Sequence, residues 1–340
     1  MRGREILLDH FNGREAAALM VDGHLEDLLV DADAPRPGTV YRAVTDRPVK
    51  GQGGVFLKTP DGSAYLRGVK GIGQGEVLHV QVTGYAEPGK AIPVTHKILF
   101  KSRYAIVTPE APGLNLSRSI RDDDVRDALL ALAHQGMDGS SMGLILRSAA
   151  ADANDDEVLD DIAAMRDLAE AVLDDTGSEP ETLSEGDGPH VLAWRDWVDP
   201  AQVVTDAGCF EAHGVADAID AACSAQIPLS GEASMYVEAT RALVAVDVNT
   251  GADGSFAAGV RANLACARAL PSALRVRGLG GQITIDLAPM PKKERKTFEA
   301  TLRAALRKDD IDTVMAGWTP LGHFELQRKR ARLPLSEVLA

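Results

Sequence analysis

The last hundred residues alternate apolar strands with helices, and this alternation constrains the fold more than any other feature of the chain. One apolar run ends at Asp247-Val-Asn249 and a second ends at Asp286. A helical stretch begins at about Ser255, between the two runs, and an amphipathic helix is predicted over 292–307. Strand, helix, strand and helix in this order predict a parallel α/β unit.

Polar side chains stand at the end of both predicted strands. Asp247 and Asp286 each lie between two apolar residues, where burying a charge is costly unless something compensates it. Asp247 and Asn249 share a face because side chains alternate along a strand, and ligands collect beyond the carboxyl ends of parallel strands. Two carboxylates and an amide suit Mg²⁺, which would polarise a phosphoryl oxygen. The alternative is that each aspartate caps a following turn or helix.

The first hundred residues consist of short strands. Alternation over 5–32, with turns at Asn12-Gly13 and Asp22-Gly23, predicts a β-meander. Five more short strands over 39–99, separated by glycines, fit a small barrel of the oligonucleotide-binding type or another small barrel.

The middle of the chain is more helical. Apolar stripes predict helices over 122–133 and 155–173, with a strand at 141–147 between them. Residues 176–189 are acidic and poor in hydrophobic side chains, which predicts a loop.

The formal net charge of −14 argues by itself against a nucleic-acid partner. The charge is unevenly distributed, however, because Arg166 is the only basic residue between Asp152 and Asp187, whereas basic residues prevail from Lys292 onward. The charged face of the helix over 292–307 could follow the phosphates of a nucleic acid, or it could simply be solvated.

Nothing in the sequence indicates a membrane segment or a zinc site. No apolar run approaches the ~20 residues that span a bilayer, and Asp9 interrupts the apolar start too early for a signal peptide. Cys209, Cys223 and Cys266 are too scattered for a disulfide framework or a zinc site. We therefore expect a cytoplasmic protein with no membrane attachment and no zinc.

Four segments of the C-terminal part carry a further pattern. They are Ala-Val-Asp247-Val-Asn249-Thr250-Gly251, Ala262-Asn263-Leu264, Arg277-Gly-Leu-Gly-Gly-Gln-Ile-Thr-Ile-Asp286 with Met290, and Pro320-Leu-Gly-His-Phe-Glu-Leu-Gln-Arg-Lys-Arg330. In this order they resemble the catalytic segment of the ribonuclease E/ribonuclease G family. The resemblance implies that Asp247 and Asp286 bind the catalytic Mg²⁺, and that Asn249 positions the attacking water or the scissile phosphate.

The resemblance extends over nearly the whole chain and thins toward the N-terminus. Residues 38–99 lie where the family has its S1 RNA-binding barrel. The resemblance implies that Phe56 and Tyr65 stack on bases, which is worth ~1–3 kcal/mol per base, and that Lys90 reaches the RNA backbone. For Phe56 the alternative is a place in the barrel core, whereas the hydroxyl of Tyr65 tolerates solvent.

Two other segments, Ser117-Arg118-Ser-Ile-Arg-Asp-Asp and Met142-Gly-Leu-Ile-Leu-Arg147-Ser148, resemble the family's sensor of a 5′-monophosphate. Arg147 and Ser148 keep the charge and the hydroxyl of the family's arginine and threonine, and a guanidinium can clamp a phosphate bidentately. The alternative for Arg147 is a surface salt bridge to the carboxylates nearby.

The sequence departs from the family pattern in two respects. It has no Cys-Pro-x-Cys zinc element and no small domain after the catalytic part, so we expect a monomer or a zinc-free dimer. Pro271 falls within the helix between the catalytic strands, where it should kink or end that helix, and the link from Asn249 to the helix is short.

We therefore expect a multidomain α/β protein. An RNase H-like subdomain (1–37 and 188–240) would carry an inserted S1 barrel of the OB type (38–99) and a 5′-sensor region (100–187), followed by a DNase I-like catalytic α/β domain (241–335). The expected activity is Mg²⁺-dependent hydrolysis of single-stranded RNA to 5′-phosphate and 3′-hydroxyl ends, in RNA processing or decay. The alternatives are a non-catalytic RNA-binding relative and a metal-dependent phosphodiesterase with another substrate.

Overall fold

The chain forms two compact units. The computed structural model describes residues 3–49 and 53–339, with no side chains described at 48 and 49. One unit is discontinuous and combines Met1–Ala32 with Pro200–Ala340, and the other is the continuous segment Asp33–Asp199. Among the described residues, no helix is both long enough and apolar enough to cross a membrane.

The discontinuous unit begins with the predicted meander, whose antiparallel strands are β1 (Arg4–Phe11), β2 (Arg14–Val21) and β3 (His24–Val30). Asn12 and Asp22 both have a φ of 51°, and the glycines that follow them also have positive φ. Two consecutive left-handed residues form the tight turn that matches the twist of a hairpin, which is why Asn-Gly and Asp-Gly occur here. The predicted meander is confirmed.

The continuous unit starts with a closed barrel. Its strands are β4 (Val40–Val49), β5 (Gly54–Thr59), β6 (Gly62–Arg67), β7 (Val77–Val82) and β8 (Ile92–Thr95). Their order is β4-β5-β6-β8-β7, and an additional pairing of β4 with β7 closes the barrel. Tyr41, Leu57, Leu66 and Val80 fill its core. This closed five-stranded barrel is consistent with an S1/OB-like domain, as the strand pattern predicts.

A second layer of the same unit combines a sheet with two helices. Its elements are β9 (Phe100–Lys101), β10 (Ala105–Thr108), β11 (Leu114–Leu116), α1 (Asp123–Gly136), β12 (Gly143–Leu146) and α2 (Asp155–Leu173). The strand order is β11-β12-β10-β9, and Val107, Leu144 and Ile162 share one core. Both predicted helices and the strand between them are confirmed.

The acidic segment predicted as a loop contains a strand, β13 (Glu181–Ser184), which pairs antiparallel with β4, and the helix α3 (Pro189–Asp196) follows it. Arg42 of β4 explains this difference. Its guanidinium donates to Asp175 Oδ1 at 2.5 Å, to the Glu179 carbonyl at 2.6 Å and to the Glu181 carboxylate. One buried cation thus neutralises carboxylates that would otherwise disfavour packing against the barrel.

The remaining elements belong to the discontinuous unit. They are β14 (Gln202–Val204), α4 (Cys209–Ala212), α5 (Val215–Cys223), β15 (Gln226–Pro228), β16 (Ser234–Ala239), β17 (Val244–Asn249), α6 (Phe256–Val276), β18 (Gly281–Asp286), α7 (Arg295–Leu306), β19 (Thr313–Trp318), β20 (Phe324–Arg328) and α8 (Leu335–Val338). β14 pairs in parallel with β1 and completes the meander sheet, in the order β14-β1-β2-β3.

A six-stranded sheet dominates this unit, in the order β15-β16-β17-β18-β20-β19. Strands β17 and β18 are parallel neighbours, as predicted, whereas the other pairs are antiparallel, so the sheet is mixed. α6 does not end at Pro271 but continues to Val276. Leu270 and Leu274 on either side of this proline are fully buried, and this packing offsets the lost backbone hydrogen bond.

A buried ionic network holds parts of the same unit together. The Asp309 and Arg328 side chains are both 0% exposed and form an ion pair, and Arg275 donates to the other oxygen of Asp309 at 2.6 Å. Asp27, in the middle of β3, is paired with Arg332 and lies 3.4 Å from Arg275 Nε. Because removing one member would leave a buried charge without its partner, the network ties β3 to the C-terminal segment.

Candidate catalytic and RNA-binding sites

Asp247 and Asp286 are brought side by side by the parallel pairing of β17 and β18. The two residues are register partners, so they project from the same face of neighbouring strands. Asn249 lies two residues beyond Asp247 on that face, and its Nδ2 donates to Asp247 Oδ2 at 2.8 Å. The structure thus brings together the three residues that the sequence pattern singles out.

The two carboxylates are exposed, and the expectation that they are buried charges is wrong. Val246, Val248 and Ile285 are buried in the core that α6 and α7 cover, whereas Asp247 faces the opposite side and the Asp286 side chain is 67% exposed. The physical reason is the two-residue period of a strand, which sends the flanking apolar residues to one face and the acids to the other.

Helix capping does not account for these aspartates. The residue that caps α6 is Ser255, whose Oγ accepts a hydrogen bond from the Ala258 amide at 3.2 Å. At α7 the cap position is occupied by Glu294. Asp247 and Asp286 therefore lie at strand ends with their carboxylates free of a capping role.

Two neighbours of the carboxylates, His323 and Tyr236, were not identified from the sequence. His323 Nε2 lies 3.7 Å from Asp286 Oδ1, and Tyr236 is the register partner of Asp247 on β16. In the loop after β17, hydrogen bonds from the Ser255 side chain and amide lower the pKa of Asp253. His323 lies inside the last of the quoted segments, which is the one signal that could have identified it.

The carboxylate pair suits a hard divalent cation. The described part of the chain holds no group of three or more His, Cys, Asp and Glu residues placed to bind one metal ion. Mg²⁺ does not need such a cage, because it keeps several waters and takes one or two carboxylates together with substrate phosphates. Asp247 and Asp286 offer that number of ligands on an open face.

In the barrel, Phe56 and Tyr65 form an outward-facing aromatic pair. They are register partners on β5 and β6, and their ring centroids lie 5.2 Å apart. The Arg47 guanidinium lies 5.4 Å from the centre of the Phe56 ring. Because Phe56 alternates with the buried Val55 and Leu57, it lies outside the barrel core, and the alternative of a core role does not hold.

Lys90 lies in the loop between β7 and β8 and is mostly exposed. Its Nζ forms an ion pair with Glu87 at 2.9 Å. A pair this exposed contributes little to stability, so the ammonium can exchange Glu87 for a phosphate at small cost.

Arg147 is held by a dense set of acceptors within the continuous unit. Its Nη1 donates to the carbonyls of Ser102 at 2.6 Å, Arg103 at 3.2 Å and Arg195 at 3.0 Å, and its Nη2 donates to Asp196 Oδ1 at 2.8 Å. Its side chain is 19% exposed. Phosphate sensing by Arg147 stays a prediction, and a phosphate would have to compete with Asp196.

Asp196 is strongly stabilised as a carboxylate. Burial alone would raise its pKa, but hydrogen bonds and charge from Arg195, followed by Lys101, lower the pKa well below the usual range. Ser148 begins a short 3₁₀ helix directly after Arg147 and is exposed. Its hydroxyl is therefore accessible to a ligand, whereas the guanidinium of its neighbour is mostly occupied.

The fold and site together define a mixed α/β protein with an oligonucleotide-binding type of barrel and a paired-carboxylate site on a separate sheet. A family model described as the ribonuclease E/G family matches residues 100–207 and 195–331. The chain belongs to the ribonuclease E/G family.

Curated relatives agree with this assignment. The chain is 25% identical to ribonuclease G of Salmonella typhimurium and 26% identical to ribonuclease G of Haemophilus influenzae, and each alignment covers 98% of this chain and 81% of the relative. It is 24% identical to ribonuclease E of a Nostoc species, over 93% of this chain and 54% of that relative.

Proposed function

We propose that the chain hydrolyses single-stranded RNA with Asp247, Asn249 and Asp286 as its catalytic residues and Mg²⁺ as its metal ion. Its family and relatives make it an endoribonuclease that acts in RNA processing or decay, and nucleases of this family depend on a divalent metal ion. The observation that carries the proposal is the register pairing of two exposed carboxylates on one face of the sheet.

Asp247 and Asp286 would hold the ion, and Asn249 would keep the first of them in place. Bound there, Mg²⁺ would polarise a phosphoryl oxygen and lower the pKa of a water. The amide nitrogen of Asn249 donates to Asp247, which leaves its amide oxygen to orient the attacking water. His323, 3.7 Å from Asp286, is near enough to steady that carboxylate through a small shift or a bridging water. The expected products carry 5′-phosphate and 3′-hydroxyl ends.

The proposal assigns the other residues to substrate binding. Phe56 and Tyr65 would stack on unpaired bases, and Lys90 would contact the backbone. Arg147 and Ser148 would recognise a 5′-monophosphate. In domain terms, we propose an RNase H-like part (1–37 and 188–240), an S1 barrel (38–99), a sensor region (100–187) and a DNase I-like part (241–335).

The test is incubation of the purified protein with 5′-monophosphorylated single-stranded RNA, with Mg²⁺ and with a chelator in its place. We expect internal cleavage only with the metal, and end analysis should find 5′-phosphate on the downstream product. The Asp247→Asn variant serves as the inactive control. Cleavage that is equal in the chelator, or RNA binding without any cleavage by the wild type, would contradict the proposal and favour a non-catalytic role.

A further inference from the structure

The helix α7 and the turn before it carry basic side chains without carboxylate partners. Residues 292–308 contain seven basic and two acidic residues, a net charge of +5 in a chain whose net charge is −14. The five that form what we call the α7 stripe are all exposed, and among the described residues none of them has an ion-pair partner. The α7 stripe consists of Lys292, Lys293, Lys296, Arg303 and Arg307.

The helical residues of the α7 stripe lie on one side of α7. Lys296, Arg303 and Arg307 are spaced by seven and four residues, which aligns them along one side of an α-helix. Phe298 and Leu302 are buried on the other side, against the sheet. The aligned cations therefore face solvent along the length of α7, about 18 Å for its twelve residues.

The carboxylate of α7 that could neutralise the α7 stripe is engaged elsewhere. Glu299 is spaced to pair with Lys296 and Arg303, but it instead accepts a hydrogen bond from Trp318 Nε1 at 2.7 Å. Arg295, the remaining basic residue of the first turn, lies 4.1 Å from the centre of the Trp318 ring. The indole thus engages the side chains on this flank, and the stripe beside it stays unpaired.

Helix stability does not explain the stripe either. Cations favour the C-terminal end of a helix, which suits Arg303 and Arg307. Lys292, Lys293 and Lys296 lie at the N-terminal end, where the helix dipole disfavours them, and Glu294 at the cap position is a single acid against these three cations. A polyanionic ligand would compensate cations at both ends of the helix.

A groove runs beside the stripe, between α6 and α7. Its volume is about 640 Å³. Small side chains of α7, among them Thr297, Ala300 and Ala304, form one wall. Arg268 of α6 and Lys308 add positive charge to the lining, whereas its two acids, Glu26 and Asp309, are both paired with Arg275. The groove thus offers space for a sugar–phosphate chain alongside a row of cations.

We propose that the α7 stripe and this groove bind the phosphate backbone of RNA flanking the cleavage site. The stripe begins six residues after Asp286 in the chain, and because α7 packs on the face of the sheet opposite to Asp247, the bound RNA would pass around the edge of the sheet from the carboxylates to α7. Phosphate contacts of this kind bind RNA without reading sequence. The proposal rests on the proposed function, since it extends the substrate beyond the same catalytic residues.

The test measures RNA binding without divalent ion, so that cleavage does not interfere. Fluorescence anisotropy compares oligonucleotides of about 5 and about 16 nucleotides. The combined variant Lys296→Gln, Arg303→Gln and Arg307→Gln should bind the longer RNA about tenfold more weakly at low salt. Its slope of log K against log salt should fall by about 2, at about 0.7 per lost phosphate contact. Binding of the shorter RNA should not change.

Arg241→Gln is the matched control, because Arg241 is exposed in the same unit but lies in the turn between β16 and β17. It should leave both affinities unchanged. If the combined variant has the affinity and the salt slope of the wild type, with its thermal unfolding unchanged, the proposal is overturned. The α7 stripe would then be either a solvated surface or a binding site for an acidic protein. A failure of the proposed function is distinguishable, because then the wild type would not cut RNA of either length.

Discussion

Asp247 and Asp286 are register partners across β17 and β18, but the amide of Asn249 reaches only Asp247. The two carboxylates thus occupy equivalent positions in the sheet, but Asn249 donates a hydrogen bond to Asp247 alone of the two. Replacing either by asparagine should lower the cleavage rate by at least about 10²-fold, because each removes a metal-binding charge. Asn249→Ala should cost less, about 10–100-fold, since it affects the orientation of one ligand.

Single-turnover cleavage at limiting Mg²⁺ measures these effects. Glu238→Gln is the control, because Glu238 is an exposed carboxylate of the adjacent strand β16 and is not a proposed ligand. Near-normal cleavage by Asp247→Asn or Asp286→Asn would refute the metal assignment.

The outward pair Phe56–Tyr65 leads to a prediction about affinity. Tyr65→Ala should weaken single-stranded RNA binding by ~1–3 kcal/mol, because it removes one stacking surface, whereas Tyr65→Phe should retain most of it. Affinity measured without divalent ion tests this pair of variants. If Tyr65→Ala binds as tightly as Tyr65→Phe, the rings pack only on each other.

Arg147 gives the third prediction. If Arg147 and Ser148 clamp a terminal phosphate, RNA with a 5′-monophosphate should be cut roughly tenfold faster than RNA with a 5′-hydroxyl, and salt should shrink the difference. Arg147→Ala should abolish the preference but keep the slower activity. The same variant should also lower thermal stability, because Asp196 and three carbonyls lose the hydrogen bonds that Arg147 donates.

Ser148→Ala distinguishes phosphate sensing from the structural role of Arg147, because the exposed Ser148 does not belong to the hydrogen-bond network of Arg147. A sensor predicts a smaller 5′-end preference in Ser148→Ala with unchanged stability. Equal cleavage of both ends by the wild type at low salt would identify Arg147 as a structural ion-pair partner only.

The fourth prediction concerns acid stability and Asp27. Burial alone would raise the pKa of Asp27, but the charge and hydrogen bonds of Arg332, together with the charge of Arg275, lower the pKa below its usual value. Because the folded pKa is lowered, the stabilisation is present above about pH 4 and is lost as pH falls through the folded pKa.

Asp27→Asn should therefore flatten the fall in unfolding free energy below about pH 4. At pH 7 it should destabilise the protein by about 3–5 kcal/mol, because the buried Arg275 and the partly buried Arg332 both lose the carboxylate charge of Asp27. Denaturant unfolding over a pH series measures both effects, with Asp220→Asn on the exposed side of α5 as the control. Parallel pH curves for wild type and Asp27→Asn would show that another group controls acid unfolding.

The cysteines give the fifth prediction. Burial raises the pKa of Cys266 to about 12, and burial together with the charge of Asp9 raises that of Cys209 to about 11. Cys223 is exposed. At pH 8 a thiol reagent should therefore modify native protein rapidly at Cys223 alone, and Cys223→Ser should abolish the rapid reaction. Metal analysis of the same protein should find no stoichiometric zinc, and a tightly held zinc would contradict the expected zinc-free state.

Local signals in the sequence predicted much of the fold. Asn12-Gly13 and Asp22-Gly23 specified both turns of the meander, and glycine-separated strands indicated the barrel. The paired positions of Asp247 and Asp286 followed from two apolar runs that both end in an acid. Each of these features depends on residues that are close in sequence, which is why it could be recognised from the sequence.

Features that depend on distant residues were missed. Arg42 contacts a segment more than 130 residues away, and this contact converts a predicted acidic loop into β13. The exposure of Asp247 depends on which face α6 and α7 cover, and the two apolar neighbours of an acid do not reveal that face. His323 and Asp286 meet through the pairing of β18 with β20, which no local pattern specifies.

The parallel pairing of β1 with β14 sets an order of events during synthesis. The ribosome must add almost two hundred residues after β1 before Gln202 can reach its partner Glu5. Meanwhile Asp33–Asp199 emerges as one uninterrupted stretch that can complete its own cores. The segment Asp33–Asp199 can therefore fold first. Meanwhile one edge of the nascent meander stays unpaired and open to strand addition by other chains. A chain that stops before β14 would keep the barrel but carry an aggregation-prone N-terminal sheet.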